Sequence, residues 1–451
     1  MELKDKKVLV FGAGKSGISA TRLLQRIGAT VFLYDGKEDL DISTIENKFE
    51  MSPEIYVGKI PKDKLDQISL MIISPGIAID HPFVKEVEEK GIPIWGEIEL
   101  AYRYCKGKII GITGTNGKTT TSFLVGEILS AFFKDVYVVG NIGDPFTDIV
   151  LDTSDQSVIV IEVSSFQLET IHKFHPDISA ILNITPDHLN RHHTMENYIN
   201  LKKSITVNQD KGNLCILNYE DSHTREIGAK SDTRVMYFSS EHSLEYGLYL
   251  DGDDILYKKD ASIERVCNVN ELRVLGKHSY ENVMVGVGIG LEMGVPMDVI
   301  RQTIISFNAV EHRIEYVDTI DGVCYYNDSK GTNPDASIKA VQAMKSPTIL
   351  IGGGFDKGLV FDEWVTSFNG KVKTLVLMGE TREMIADAAR KQGFNNIIMV
   401  NDLKEAVRIS AEKAEDGDAV LLSPACASWG MFENYEQRGR MFKEYVRELH
   451  G

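Results

Sequence analysis

Gly114-Thr115-Asn116-Gly117-Lys118-Thr119-Thr120 lies between two apolar stretches, Ile109-Ile110-Gly111-Ile112 before it and Phe123-Leu124-Val125-Gly126-Glu127-Ile128-Leu129 just after it. The pattern predicts a strand, a tight glycine loop and a helix. Glycines let backbone N–H groups approach an anion closely, and the following helix offers its positive N-terminus. Lys118 is placed to reach terminal phosphates, and the Thr119 hydroxyl to ligate Mg²⁺. The common phosphate loop has four residues between its first Gly and the Gly-Lys pair. Here only Thr115 and Asn116 separate Gly114 from Gly117. An ordinary glycine turn before a helix is the alternative, but Gly-Lys-Thr at a strand-to-helix turn favours a nucleotide site.

The surrounding chain sets the frame. At 451 residues it is too long for one core, and two or three domains are expected. A hydrophobic content of 43% and a charged content of 25% are ordinary for a soluble globular protein. The formal charge of -17 argues against a nucleic-acid partner. Cys105, Cys215, Cys267, Cys324 and Cys426 are scattered and form no C-x-x-C pair, which disfavours structural zinc and a disulfide framework. The charged start Met-Glu-Leu-Lys-Asp-Lys-Lys reads as no signal peptide, and no apolar run is long enough to span a bilayer. A cytoplasmic protein without membrane insertion is expected.

Upstream, Lys7-Val8-Leu9-Val10-Phe11 reads as a buried strand, followed by Gly12-Ala13-Gly14-Lys15-Ser16-Gly17, a helical stretch, and the strand Thr30-Val31-Phe32-Leu33-Tyr34-Asp35. The β-α-β unit has G-x-G-x-x-G spacing, and Asp35 lies near the place of a ribose-binding acid. On these residues alone an NAD-binding Rossmann domain is the plain reading. The second phosphate loop at Gly114 argues against it, yet the motif does not separate NAD from another diphosphate.

Downstream, Ser157–Ser165 contains a continuous apolar run, the mark of a strand buried on both faces of a parallel sheet. Glu162 falls at its end, at the carboxyl edge where ligands bind, and is a candidate Mg²⁺ ligand. The strand Ile178–Ile184 leads into Thr185-Pro186-Asp187-His188-Leu189-Asn190-Arg191-His192-His193. The three histidines match no usual zinc spacing, and His192 and His193 are expected to be solvent-exposed. Tyr198–Ile205 reads as a helix carrying the adjacent lysines Lys202 and Lys203. Gly252-Asp253-Asp254 predicts a hairpin turn. Cys426 has no evident general base near it and reads as a packing residue.

Gly-Thr-Asn-Gly-Lys-Thr resembles the ATP-binding signature of the Mur ligase superfamily, which also includes folylpolyglutamate synthase. Further motifs occur in that family's order: Gly276-Lys277-His278-Ser279-Tyr280-Glu281-Asn282, Tyr326-Asn327-Asp328-Ser329-Lys330-Gly331-Thr332, and Ser423-Pro424-Ala425-Cys426-Ala427-Ser428-Trp429 with Phe432, Tyr435, Arg438 and Gly439. The last of these is similar to the D-glutamate-adding members. The resemblance implies an α/β protein of three domains. These are a Rossmann-like UDP-sugar-binding domain over 1–96, a central ATP-binding parallel-sheet domain over 97–302, and a Rossmann-like amino-acid-binding domain over 303–451.

The resemblance also implies roles. ATP would lie on Gly114, Thr115, Asn116, Gly117, Lys118, Thr119 and Thr120, with Asn282 near the adenine, Arg313 at the γ-phosphate and Asp328 at the ribose or adenine side. Ser279 replaces the family's usual first asparagine near the adenine. Two Mg²⁺ ions, replaceable by Mn²⁺, would be held by Thr119, Glu162, His188 and Lys202, the last as a CO₂-derived carbamate. Lys118, Glu162, His188 and Lys202 would be catalytic. The UDP-sugar would meet Ser16, Gly17, Asp35, Gly36, Lys37, Ser74 and Asn141. D-Glutamate would meet Lys330, Thr332, Lys357, Ser428, Trp429 and Tyr435. The implied reaction joins D-glutamate to UDP-N-acetylmuramoyl-L-alanine at the expense of ATP, through an acyl phosphate, in peptidoglycan precursor synthesis. Small-molecule substrates and a monomer are expected. The alternatives are a sibling ligase, a folate polyglutamate ligase, an NAD-dependent oxidoreductase or redox sensor built on Gly12–Gly17, and an ATP-gated binding protein without turnover.

Overall fold

Short runs of β-branched and aliphatic residues alternate with helices along the chain, and parallel strands joined by helical crossovers follow from that alternation. The computed structural model describes residues 2–308 and 311–450. The expected α/β class is what the structure has, with strands in three sheets.

The first sheet holds β1 (Lys7–Phe11), β2 (Thr30–Asp35), β3 (Glu54–Val57), β4 (Leu70–Ile73) and β5 (Ile94–Gly96) in the order β3-β2-β1-β4-β5. All its pairings are parallel. The strand order reverses at β1, which puts the loops after β1 and β4 at the switch point where doubly wound sheets bind ligands.

The second sheet holds β6 (Lys108–Thr113), β7 (Val136–Gly140), β8 (Val158–Glu162), β9 (Ile178–Ile181), β10 (Leu214–Asn218), β11 (Arg234–Ser239), β12 (Gly247–Asp251), β13 (Asp254–Lys259) and β14 (Ser262–Asn268). Their order is β14-β13-β12-β11-β10-β9-β6-β8-β7. β6 lies between β8 and β9, parallel to both, and β8 is buried along its whole length. β12 and β13 pair antiparallel with Asp251 opposite Asp254, so the expected turn at Gly252 is a hairpin.

The third sheet holds β15 (Glu315–Ile320), β16 (Val323–Asn327), β17 (Thr348–Gly352), β18 (Val372–Leu377), β19 (Ile397–Met399) and β20 (Ala419–Leu422), ordered β15-β16-β20-β17-β18-β19. Only the β15–β16 pair is antiparallel.

The chain divides into two compact units, Met1–Cys267 with Glu281–Thr303, and Asn268–Tyr280 with Ile304–Gly451. Within the first unit the first two sheets share one apolar core, from Leu3 and Val8 to Leu217 and Ile227. A polar seam ties them as well. Ser19 Oγ bonds Thr147 Oγ1 at 2.5 Å, and Thr147 N donates to the buried Glu97 carboxylate at 2.8 Å. Among the described residues no helix is long and apolar enough to cross a membrane.

Candidate active site

The first unit contains the phosphate loop. β6 ends at Thr113, and the helix Lys118–Ser130 begins directly after Gly117. Gly117 has φ +86°, and a Cβ there would stand 2.6 Å from Asn282 Oδ1. Only glycine lets the loop turn and lets Asn282 lie against it. The loop is braced from β9's exit: Thr115 N donates to Asn183 O at 2.9 Å and Asn116 N to Asn183 Oδ1 at 2.8 Å. Lys118 Nζ reaches back to Gly114 O and Thr115 O, both at 2.9 Å.

The Thr119 hydroxyl donates to Glu162 Oε2 at 2.9 Å, and Asn141 Nδ2 donates to Glu162 Oε1 at 2.8 Å. The strand end therefore presents one buried carboxylate to the first turn of the loop helix. Asn141, expected at the UDP-sugar, is found on this carboxylate.

Lys202 also converges on the loop. It lies in the helix Met195–Lys203, is 2% exposed, and donates from Nζ to Gly114 O at 2.8 Å. Its ammonium stands over the Tyr198 ring, 4.7 Å from the centroid. Burial, with the Lys118 charge nearby, pulls its pKa down to about 7. Lys203, the adjacent alternative, is exposed.

The three histidines go separate ways. His188 has left-handed backbone (φ +51°), faces Asp187 at 3.4 Å and packs on the Phe166 ring. His193 is exposed, 3.4 Å from Asp80. His192 corrects the sequence expectation. It is 3% exposed rather than solvent-facing, bonded to Ser165 Oγ at 3.0 Å and stacked on Tyr198. The intervening short helix turns it inward, and burial lowers its pKa to about 4, so it is a neutral packing residue at physiological pH.

The first glycine loop uses the same backbone device with other surroundings. Gly12 has φ +106°, and a Cβ on Gly17 would come within 1.8 Å of Gly12 O. Ser16 and Gly17 thus lie in the first turn of the helix Lys15–Arg26, pressed onto the loop. Asp35 Oδ2 accepts from Ala13 N at 2.9 Å, and Lys37 N donates to Asp35 Oδ1 at 3.1 Å. Lys15 turns away to Gly143 O at 2.6 Å. Ser74, Ile77, Glu97, Phe166, Gln167 and Thr170 line a cleft beyond the ends of β4 and β5. Arg191 closes its rim, donating to Ile77 O at 2.8 Å and pairing with Glu169 at 2.5 Å.

The second unit gathers the remaining residues. Arg313 is exposed between His312 (φ +69°) and Ile314 (φ +45°). Left-handed backbone at a β-branched residue is strained, and such strain clusters at functional sites. The buried Asp328 carboxyl holds that loop. It accepts from Ile314 N at 3.3 Å and from Ser423 Oγ at 2.6 Å. Burial raises its pKa to about 7, against the lowering effect of Ser423 and Arg313. Lys330 Nζ lies 5.7 Å from the Tyr435 ring centroid, and Lys357 Nζ 4.5 Å from that of Trp429. Ser428 is buried, and Thr332 N bonds Lys330 O at 2.9 Å. Cys426 is buried, with its thiol pushed up to about 11 by desolvation, as suits a packing residue.

The sequence motif includes Arg438 without giving it a role, and the residue is wholly buried in this unit. The available signal was its place on an apolar stripe with Phe442 and Val446, at spacings of four.

Three family descriptions match the chain: Mur ligase MurD-like, N-terminal domain over residues 6–96, Mur ligase middle domain over 112–290, and Mur ligase, glutamate ligase domain over 312–426. The chain belongs to the Mur ligase family. It is 54% identical over 451 residues to the UDP-N-acetylmuramoylalanine–D-glutamate ligase of Lachnoclostridium phytofermentans, covering 100% of this chain and 99% of that one. It is 53% identical over 450 residues to the ligase of the same name from Lachnospira eligens, covering 100% of each. Among solved structures, the UDP-N-acetylmuramate-alanine ligase MurC of Thermotoga maritima superposes with a TM-score of 0.59 at 17% identity, covering 98% of this chain and 99% of that one. MurF ligase of the same organism, in complex with ADP, gives 0.58 at 16% identity, covering 99% and 96%. These two likenesses concern the fold alone.

Proposed function

We propose that the chain is an ATP-dependent ligase that joins D-glutamate to UDP-N-acetylmuramoyl-L-alanine, a step of peptidoglycan precursor synthesis. The observation that carries this reading is the full-length identity to ligases of that name. The substrates are nucleotide-linked and ATP is consumed, which assigns the reaction to the cytoplasm. The working unit is a monomer.

The substrate carboxylate attacks the γ-phosphorus of ATP, the bond to the β–γ bridging oxygen breaks, and ADP leaves. The D-glutamate amine then attacks the acyl carbon, the C–O bond to phosphate breaks, and the amine gives up a proton. Phosphoryl transfer is mostly positioning and charge stabilisation. Loop amides of Gly114–Thr120 hold the phosphates, Lys118 exchanges its loop carbonyls for phosphate oxygens, Asn282 sits beside the adenine, and Arg313 is assigned to the γ-phosphate. Asp328 is assigned to the ribose or adenine side, and also holds the Arg313 loop.

The donor set fits a hard divalent cation, since a buried carboxylate and a hydroxyl lie 2.9 Å apart at the loop. Thr119, Glu162, His188 and Lys202 as a carbamate would hold Mg²⁺ or Mn²⁺, at two sites, and the bound ion neutralises phosphate charge. Lys202 suits carbamate formation. With a pKa near 7 much of its amine is neutral and nucleophilic at neutral pH. The nitrogen attacks CO₂, an N–C bond forms and one proton leaves. The new anion would face Lys118 in place of a second cation.

Ser16, Gly17 and Ser74 are assigned to the diphosphate, Asp35, Gly36 and Lys37 to the uracil, and Asn141 to the sugar side. Lys330, Thr332, Lys357, Ser428, Trp429 and Tyr435 are assigned to D-glutamate. These roles follow the domains 1–96, 97–302 and 303–451.

The test is phosphate release from ATP and Mg²⁺ with UDP-N-acetylmuramoyl-L-alanine, using D-glutamate, L-glutamate or L-lysine as acceptor. Release with D-glutamate alone is expected. Release with another acceptor moves the substrate within the family. No release with any acceptor, together with tight NADH binding, returns the Gly12–Gly17 loop to a dinucleotide.

A further inference from the structure

We propose that Arg438 is a positioning residue for the acceptor amino acid, aligning through Ser329 and Cys426 the loops that carry its binding groups. The proposal rests on the ligase reading above.

Arg438 is 0% exposed, and all three guanidinium nitrogens are used. Nε donates to Ser329 Oγ at 3.0 Å, Nη2 to Ser329 O at 2.8 Å, and Nη1 to Cys426 O at 3.2 Å. Ser329 Oγ in turn donates to Tyr435 O at 2.8 Å. One planar fork therefore joins the exit of β16, the exit of β20 and the start of the helix Tyr435–Arg447. Those three segments carry Lys330, Thr332, Ser428, Trp429 and Tyr435.

The partners are a hydroxyl and two carbonyls, with no carboxylate among them. A buried guanidinium without a contacting anion is costly to desolvate, and an apolar side chain in its place would leave two buried carbonyls unpaired. Stability alone therefore accounts for a donor at this position but does not select arginine. Two other properties do. The rigid fork sets three backbone segments at once, which a flexible ammonium cannot do. Its charge also survives burial, because its pKa falls only to about 10. The segments that carry Lys330 and Ser428 thus keep a fixed positive charge bonded to their backbone, suited to a dicarboxylate.

The experiment is steady-state phosphate release by the full chain, with D-glutamate and ATP varied in turn, for wild type, Arg438→Lys and Ser329→Ala. Arg438→Lys keeps the charge and loses the fork. Its KM for D-glutamate should rise by about tenfold to a hundredfold, the scale of a misplaced binding group, with KM for ATP within about twofold. Ser329→Ala removes one acceptor and leaves the guanidinium its two carbonyls. It should move the same KM in the same direction by a smaller factor, and it serves as the test if Arg438→Lys does not fold. A D-glutamate KM within twofold of wild type, or equal rises in both KM values, overturns the proposal. A wild type without D-glutamate-dependent release fails earlier, at the ligase reading itself.

Discussion

Lys202 in the first unit and Arg438 in the second are both cations removed from water, at 2% and 0% exposure, and burial lowers both pKa values but brings only that of Lys202 near neutral pH. Lys202 has one carbonyl at 2.8 Å and a second ammonium nearby, and its pKa falls to about 7. Arg438 has three acceptors and its pKa stays at about 10. Lysine is a compact charge that burial discharges, and arginine is a delocalised one that burial does not. A buried lysine thus becomes a reagent, whereas a buried arginine remains a frame. Residue type, more than depth, separates the chemistry at the phosphate loop from the architecture behind the acceptor loops.

The largest effect that would break this contrast lies at Lys202 itself. Lys202→Arg keeps the cation and removes the amine that discharges. If Lys202 acts as a neutral nucleophile toward CO₂, kcat should fall by about 10²–10³-fold, the scale of losing one preorganised electrostatic group. Removing CO₂ and bicarbonate from the buffer should depress the wild type toward the same rate and leave the variant unmoved. A Lys202→Arg enzyme near wild-type activity, insensitive to CO₂, would make the two buried cations equivalent and end the carbamate assignment.

A buried anion sharpens the contrast next. Glu97 is 2% exposed at the seam between the first two sheets, and burial raises its pKa to about 7 against the bonds from Thr147. The folded state then binds more protons than the unfolded one between the ordinary carboxyl range and pH 7. The stability linked to Glu97 is present in full below that range and is lost as pH rises toward 7. Glu97→Gln can still accept from Thr147 N and never ionises. It should be more stable than wild type above pH 7, by about 3 kcal/mol at most, with the gap closing near pH 4. Urea midpoints at pH 5 and pH 8 measure this, and parallel curves for the two proteins would show that Glu97 does not discharge.

The same distinction marks what was legible in the sequence. β1 and β2 fall where the apolar runs place them, at Lys7–Phe11 and Thr30–Asp35, and Glu162 ends β8 as the loop geometry requires. Local periodicity carries that information. Lys202 was separable from Lys203 only through the family likeness, because adjacent helical residues differ in burial by tertiary contact. His192 was misjudged because a run of polar residues reads as surface, while Phe166, 26 residues back, and Tyr198 on the next helix cover it. Asn141 takes its sugar-side assignment from the family likeness, and its bond to Glu162, 21 residues away, is visible only in the structure. Arg438 stands in the C-terminal motif without a role, because a charged residue on an apolar stripe looks like an edge position until the carbonyls that receive it are seen.

Lys203 supplies the smallest expected effect and the control for the largest. It is exposed in the last turn of the helix Met195–Lys203. A cation there gains about 0.3–1 kcal/mol from the helix C-terminus, and salt screens much of it. Lys203→Ala gives that up, while alanine recovers a few tenths of a kcal/mol in helix propensity. The two nearly cancel, so thermal stability should stay within about 0.5 kcal/mol of wild type and kcat within about twofold. The comparison with Lys202→Arg then isolates burial, since the two lysines are neighbours on one helix. A Lys203→Ala variant as damaged as Lys202→Arg would show that the loss follows from disturbing this helix end, and would remove the reason for treating the discharged lysine as a reagent.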